Sequence, residues 1–135
     1  RARIADAGMT ERIDVTERDM FAPGPFPAGY DCMMFVHQLV IWSLERNTEL
    51  LRKAYEALPS GGRVVIFNMM ADDDRSGPPF AALASVYFVA IAAGEGMIYA
   101  WKDYEDCLSR AGFRRFQRIP CGSWTPHGVL VATKD

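Results

Sequence analysis

Hydrophobic and polar positions fall into two rhythms along the chain. In RIDVTERDMF, Ile13 and Val15 alternate with polar neighbours, which predicts a strand over 12–18. Ahead of it, ARIADAGM reads as a helix closed by Gly8 at the C′ position. Two continuous apolar runs come next, DCMMFVHQLVIW and GRVVIFNMM, as expected of strands covered on both faces. Between them Leu50, Leu51, Ala54 and Leu58 recur at helical spacing, with Ser43 as candidate N-cap and Gly61-Gly62 as the stop. Arg46, not Glu, stands three residues after Ser43, so the capping box is incomplete. PFAALASVYFVAIAAG (79–94) predicts a buried helix, and WKDYEDCLSRAGF an amphipathic one ending at Gly112. RRFQRIPC and HGVLVATKD read as strands joined by the loop GSWTP, and APGPFPAG and ADDDRSGPP read as loops.

Strands that alternate with helices predict an α/β sheet with right-handed crossovers. The last two strands are close enough in sequence to form an antiparallel hairpin. Ligands of such sheets bind outside the carboxyl ends of the strands. Asp19, His37 and Gln38 fall at such ends, and Trp42 lies in the turn before the next helix. If the penultimate strand runs parallel to the rest, GSWTP brings Trp124 and His127 to the same edge; an ordinary hairpin turn is the alternative. The Asp19 carboxylate can accept from an exocyclic amine, and Met20 and Phe21 offer soft or flat apolar surface to a purine. The alternative is that Asp19 caps the next turn and Phe21 belongs to the core. His37 is either a ligand-facing group or a satisfied buried imidazole.

Composition narrows the class. The chain has 135 residues, half of them hydrophobic and about a quarter charged, which suits one globular domain. A net charge of −2 argues against nucleic acid and acidic membrane surfaces as partners. There is no basic leader, and no apolar run reaches the ~18 residues of a membrane span. The sequence thus reads as a soluble, cytoplasmic protein. Cys32, Cys107 and Cys121 are scattered without metal spacing and read as reduced, mostly buried thiols. Asp72-Asp73-Asp74 point in different directions from one loop, so no metal is expected there. Gly61-Gly62 follow a helix and precede a strand, the reverse of a phosphate-cradling turn. The chain opens at Arg1 inside a predicted helix, as a fragment would.

Three stretches in this order carry a family resemblance: Arg18-Asp19-Met20-Phe21, then Leu51-Arg52-Lys53-Ala54-Tyr55-Glu56-Ala57-Leu58-Pro59-Ser60-Gly61-Gly62-Arg63-Val64-Val65-Ile66, then Tyr104-Glu105-Asp106-Cys107-Leu108-Ser109-Arg110-Ala111-Gly112-Phe113. The chain resembles the class I S-adenosylmethionine-dependent methyltransferases that methylate hydroxyls of plant phenolics and bacterial polyketide antibiotics. The resemblance implies a Rossmann-like methyltransferase sheet with a terminal antiparallel hairpin, here lacking its first two strands. It implies the strand order 12–18, two absent strands, 31–37, 63–67, 128–133, 114–119. Residues 1–135 are then the carboxyl-terminal part of a single methyltransferase domain. The glycine-rich loop, the ribose-binding acid and a dimerisation domain are expected before Arg1. The implied cofactor is S-adenosylmethionine, with Asp19, Met20 and Phe21 at its adenine and His37, Gln38 and Trp42 beside them. The implied partners are a small hydroxylated acceptor and a second copy of the chain, with Phe80, Tyr87 and Phe88 lining the acceptor pocket.

The chain departs from the family where the proton is taken. The usual His-Asp-Trp triplet is Val40-Ile41-Trp42, and valine cannot accept a proton. Asn68 stands where an Asp is common, and Ile98-Tyr99-Ala100 where a Glu precedes Arg-Thr. His37 and His127 are therefore the candidate bases, since an imidazole titrates near neutrality. Positioning of the acceptor supplies rate in any case. The expected function is O-methylation of an aromatic or polyketide-like hydroxyl in secondary metabolism. A related domain that binds the cofactor but does other chemistry, or a non-catalytic fragment, is the alternative.

Overall fold

The computed structural model describes residues 1–92, 94–122 and 125–135. Its elements are α1 (Ala2–Asp6), β1 (Cys32–Val36), α2 (Leu44–Ala57), β2 (Arg63–Met69), α3 (Pro79–Ile91), α4 (Trp101–Ala111), β3 (Arg115–Pro120) and β4 (His127–Thr133). The four strands form one sheet in the order β1-β2-β4-β3. β1 and β2 are parallel, while β4 is antiparallel to both β2 and β3. β3 therefore runs with β1 and β2, so it ends at the carboxyl edge, where β4 begins. The implied order of these four strands and the terminal hairpin are both present.

Alternation decides which face of the sheet is covered. Val64, Ile66, Leu130 and Ala132 point to one face and are fully buried under Leu50, Leu51 and Ala54 of α2 and Tyr104, Cys107 and Leu108 of α4. Burying each such leucine contributes about 1.5–3 kcal/mol. Ser43 caps α2, its Oγ accepting from the Arg46 backbone N–H at 3.3 Å. The helix ends at Ala57, ahead of Pro59, because a residue before proline is pushed out of the helical region. Gly61-Gly62 therefore do not stop it; Gly61, at φ 77°, turns the chain into β2. α4 ends as its sequence requires, with Gly112 left-handed at φ 119° and its N–H donating to Leu108 and Ser109 carbonyls at 3.1 Å.

The opposite face is open, which corrects the expectation of strands covered on both sides. Met34 is 63 % exposed and Val36 53 %, and Val65, Phe67, Val129 and Val131 are only half-buried. The expected strand at 12–18 is also absent: residues 13–19 have no regular structure, and Ile13 and Val15 stand in solvent. A strand exists only through its neighbour's hydrogen bonds, and among the described residues none pairs with this segment. α3 is not the buried helix its composition suggests. Only Ala81 is buried, while Leu83, Val86 and Tyr87 are exposed, because the helix meets the rest of the chain along one narrow stripe with Val40 and Ile98. Of the three thiols only Cys107 is buried; Cys32 and Cys121 are exposed.

Candidate functional site

The carboxyl edge gathers the aromatic and imidazole groups. β1 ends at Val36, and His37 adopts φ 52°, a left-handed conformation uncommon outside glycine. That turn throws its ring back over β2, where it meets Phe67 edge-on at 5.0 Å between centroids. β4 enters the sheet at His127, opposite Met69, which puts its side chain on the same open face as Phe67. The His127 ring stacks on Phe67 at 5.5 Å and meets His37 at 5.1 Å. Burial and then the neighbouring His37 charge hold the His127 imidazole below its ordinary pKa. Its Nδ1 hydrogen-bonds the Thr125 hydroxyl, which leaves Nε2 outside that contact. The two histidines singled out in the sequence are thus adjacent in space. Trp124 lies outside the described residues.

The second group is an aromatic platform next to β1. Phe21 meets Trp42 edge-on at 4.9 Å, and the Arg46 guanidinium lies 4.7 Å from the Phe21 ring and 5.5 Å from that of Trp42. Gln38 Nε2 donates to Met20 Sδ at 3.7 Å, linking this loop to the turn that carries His37. Asp19 does cap the next turn: its Oδ1 accepts from the Phe21 backbone N–H at 2.9 Å. The carboxylate remains exposed, so Oδ2 is still available to an amine donor. Phe21 is half-buried and packs against the main core as well. An acidic acceptor beside flat and sulfur-bearing apolar side chains suits an adenine ring, and the buried indole N–H of Trp42 has no partner among the described residues.

Other expected groups do not converge here. Val40 is fully buried against Ala81 and Ile98, far from any proton-accepting role. Asn68 faces the core, where its amide donates to the Tyr104 hydroxyl at 3.0 Å. That burial raises the Tyr104 pKa well above its ordinary value, so the phenol stays neutral. Phe80 and Tyr87 point to solvent, while Phe88 packs on the small cluster around Val40. In the acidic loop, Asp73 accepts from Arg118 at 2.7 Å and Asp74 caps the Ser76 backbone N–H at 2.9 Å.

Two supporting residues had no motif to announce them. Asn47 is fully buried on α2 and donates to the carbonyls of Leu39 at 2.8 Å and Trp42 at 3.4 Å, which fixes the turn after β1. Lys53, 7 % exposed, donates to the carbonyls of Met20 and Ala22. Their only sequence signal is position: both fall on the face of α2 marked by Leu50, Leu51 and Ala54.

Comparison with known proteins covers nearly the whole chain. The family model of the O-methyltransferase domain matches residues 1–114. L-tyrosine C(3)-methyltransferase of Streptomyces lavendulae is 58 % identical over 98 % of the chain, which spans 36 % of that protein. 3-hydroxy-5-methyl-1-naphthoate 3-O-methyltransferase of Streptomyces sahachiroi is 38 % identical over 98 % of the chain, which spans 37 % of that protein. The crystal structure of the S-adenosylmethionine-dependent methyltransferase SibL in its apo form superposes with a TM-score of 0.89 at 47 % identity, over 98 % of this chain and 39 % of that one. The chain therefore spans a little over a third of the length of the relatives it matches.

Proposed function

The chain belongs to the O-methyltransferase domain family, and on that premise we propose that the full-length protein methylates a phenolic small molecule with S-adenosylmethionine, using the His37–His127 pair as the base. The observation that carries this reading is the 5.1 Å meeting of the two imidazoles at the carboxyl edge of the sheet. It supports the reading because the triplet that carries the base in the family is Val40-Ile41-Trp42 in this chain and offers no proton acceptor at its first position. When bound, the sulfonium supplies an electrophilic methyl group, whose S–C bond breaks as the acceptor's bond to that carbon forms. The chain's own part is to hold the adenine end on Asp19, Met20, Phe21 and Trp42, and to remove the acceptor's hydroxyl proton. A His127 held neutral by burial is suited to take that proton near pH 7. Phe67 lies beside both imidazoles and offers a face against which an aromatic acceptor can be oriented.

A second reading concerns the methylated atom. A phenolate shares its negative charge between the oxygen and the ortho carbons. Deprotonation by the same pair therefore also activates the ring carbon, which after forming the new C–C bond loses its own C–H proton to a base or solvent as the ring regains aromaticity and the oxygen regains a proton. The relative named as a tyrosine C(3)-methyltransferase favours that outcome, and the naphthoate O-methyltransferase favours oxygen. In the same proposal the protein acts in bacterial secondary metabolism, as a homodimer in the cytoplasm. The test is to incubate the full-length protein with S-adenosylmethionine, tyrosine and a phenol panel. A product heavier by one methylene is expected, and NMR assigns the new methyl to oxygen or carbon. Cofactor binding with no methylated phenol would refute the reading.

A further inference from the structure

Lys53 spends a buried charge on two backbone carbonyls. Its Nζ donates to Met20 O at 2.6 Å and to Ala22 O at 2.7 Å, and the ammonium lies 5.0 Å from the Phe26 ring. Among the described residues no carboxylate pairs with it. A lysine is seldom this buried, and desolvating its ammonium is costly unless each donor finds an acceptor. Here the acceptors are the carbonyls on either side of Phe21. Apart from these two bonds the loop they belong to is held by side chains, Met20 and Phe21 against the main core and Phe21 against Trp42 and Arg46. It lies in no strand, and its own backbone adds one turn bond, Ala22 N–H to Asp19 O at 3.2 Å. The anchor sits on α2, whose Leu50, Leu51 and Ala54 are fixed in the core.

We propose that Lys53 is a positioning residue for the cofactor's adenine end: it clamps Met20 and Ala22 so that Phe21 and the Asp19 carboxylate stand preformed beside Trp42. The proposal rests on the reading of Asp19–Phe21 as the adenine platform. A preformed loop loses less entropy on binding, so the clamp acts on affinity and not on the chemical step. In this proposal the side chain acts through the loop and not by touching cofactor or acceptor.

The test uses the full-length protein and S-adenosylhomocysteine titrated by calorimetry. Lys53→Met is expected to weaken that binding by about tenfold or more, the scale for a charge-assisted hydrogen bond. Turnover at saturating cofactor should stay within about twofold, since the clamp makes no contact that changes in the transition state. Amide exchange of the 19–26 segment should quicken in the unliganded variant while α2 and the sheet keep their protection. Lys53→Gln retains one donor group and is expected to fall between wild type and Lys53→Met. Unchanged affinity in either folded variant overturns the proposal, as does unchanged exchange in the 19–26 segment. Failure of both variants to fold also overturns it, because Lys53 would then be a folding residue. Asp19→Ala separates the two claims. If it too leaves affinity unchanged, the platform reading fails; if it weakens binding while Lys53→Met does not, only the clamp fails.

Discussion

Burial and the adjacent His37 charge both push the His127 imidazole below the ordinary value of 6.5. A lowered pKa means the neutral, proton-accepting form persists to more acid pH. The acid limb of the kcat/KM profile should therefore fall below 6.5 in the wild type. In His37→Ala the charge contribution disappears while burial, the larger cause, remains. The limb should move upward but stop short of the ordinary value. A limb that does not move would show that the two rings do not interact in solution. Asp19 offers a second residue-level check. It already accepts one bond, from Phe21 N–H, and its other oxygen is open. Asp19→Ala should weaken S-adenosylhomocysteine binding by about tenfold or more, and an unchanged Kd removes Asp19 from the site.

At the scale of elements, the start of β4 meets the first turn of α4 at Gly128. A Cβ on Gly128 would overlap the Trp101 ring, and Gly128 pairs with Asn68 next to His127. Gly128→Ala must displace either the first turn of α4 or the start of β4. Overpacking of this kind costs about 1–3 kcal/mol, read as a lower denaturant midpoint, and it should also slow turnover by moving His127. Wild-type stability in that variant would mean that Trp101 has room to swing away. The strands and the hairpin were legible because Val64–Ile66 and Gly128–Thr133 carry enough apolar, β-branched character to mark strands and the last two lie close in sequence, while the strand order came from the family resemblance. Ile13 and Val15 carry the same alternation, but pairing is a property of two segments and one sequence window cannot show the partner. α3 misled for a related reason: an all-round apolar helix says that something covers it, not that this chain does. The histidine pair was legible through topology, because a penultimate strand running with the others brings His127 to the edge of His37. Lys53 and Asn47 were not legible, since nothing in a helical repeat says that a polar residue on the buried face will find a carbonyl.

Taken whole, the 135 residues cover one sheet face and leave the other to solvent, with Met34 and Val36 more than half exposed. The imidazole pair lies on that open side, where water competes with its polar contacts, while the platform packs against the covered core beside α2. The 135 residues alone should bind the apolar dye ANS strongly, melt with little cooperativity and give no calorimetric signal with S-adenosylmethionine. A single sharp transition together with micromolar cofactor binding would show that this much chain forms a finished site. In the full-length protein the decisive question is whether the imidazole pair takes the acceptor's proton. The most direct measurement is the single-turnover rate of His37→Ala/His127→Ala at neutral pH, with added imidazole as the rescue. The rate should drop by ~10²–10⁴-fold while S-adenosylhomocysteine binding changes little, and imidazole should restore part of it. A double variant that methylates at the wild-type rate would contradict the base assignment outright.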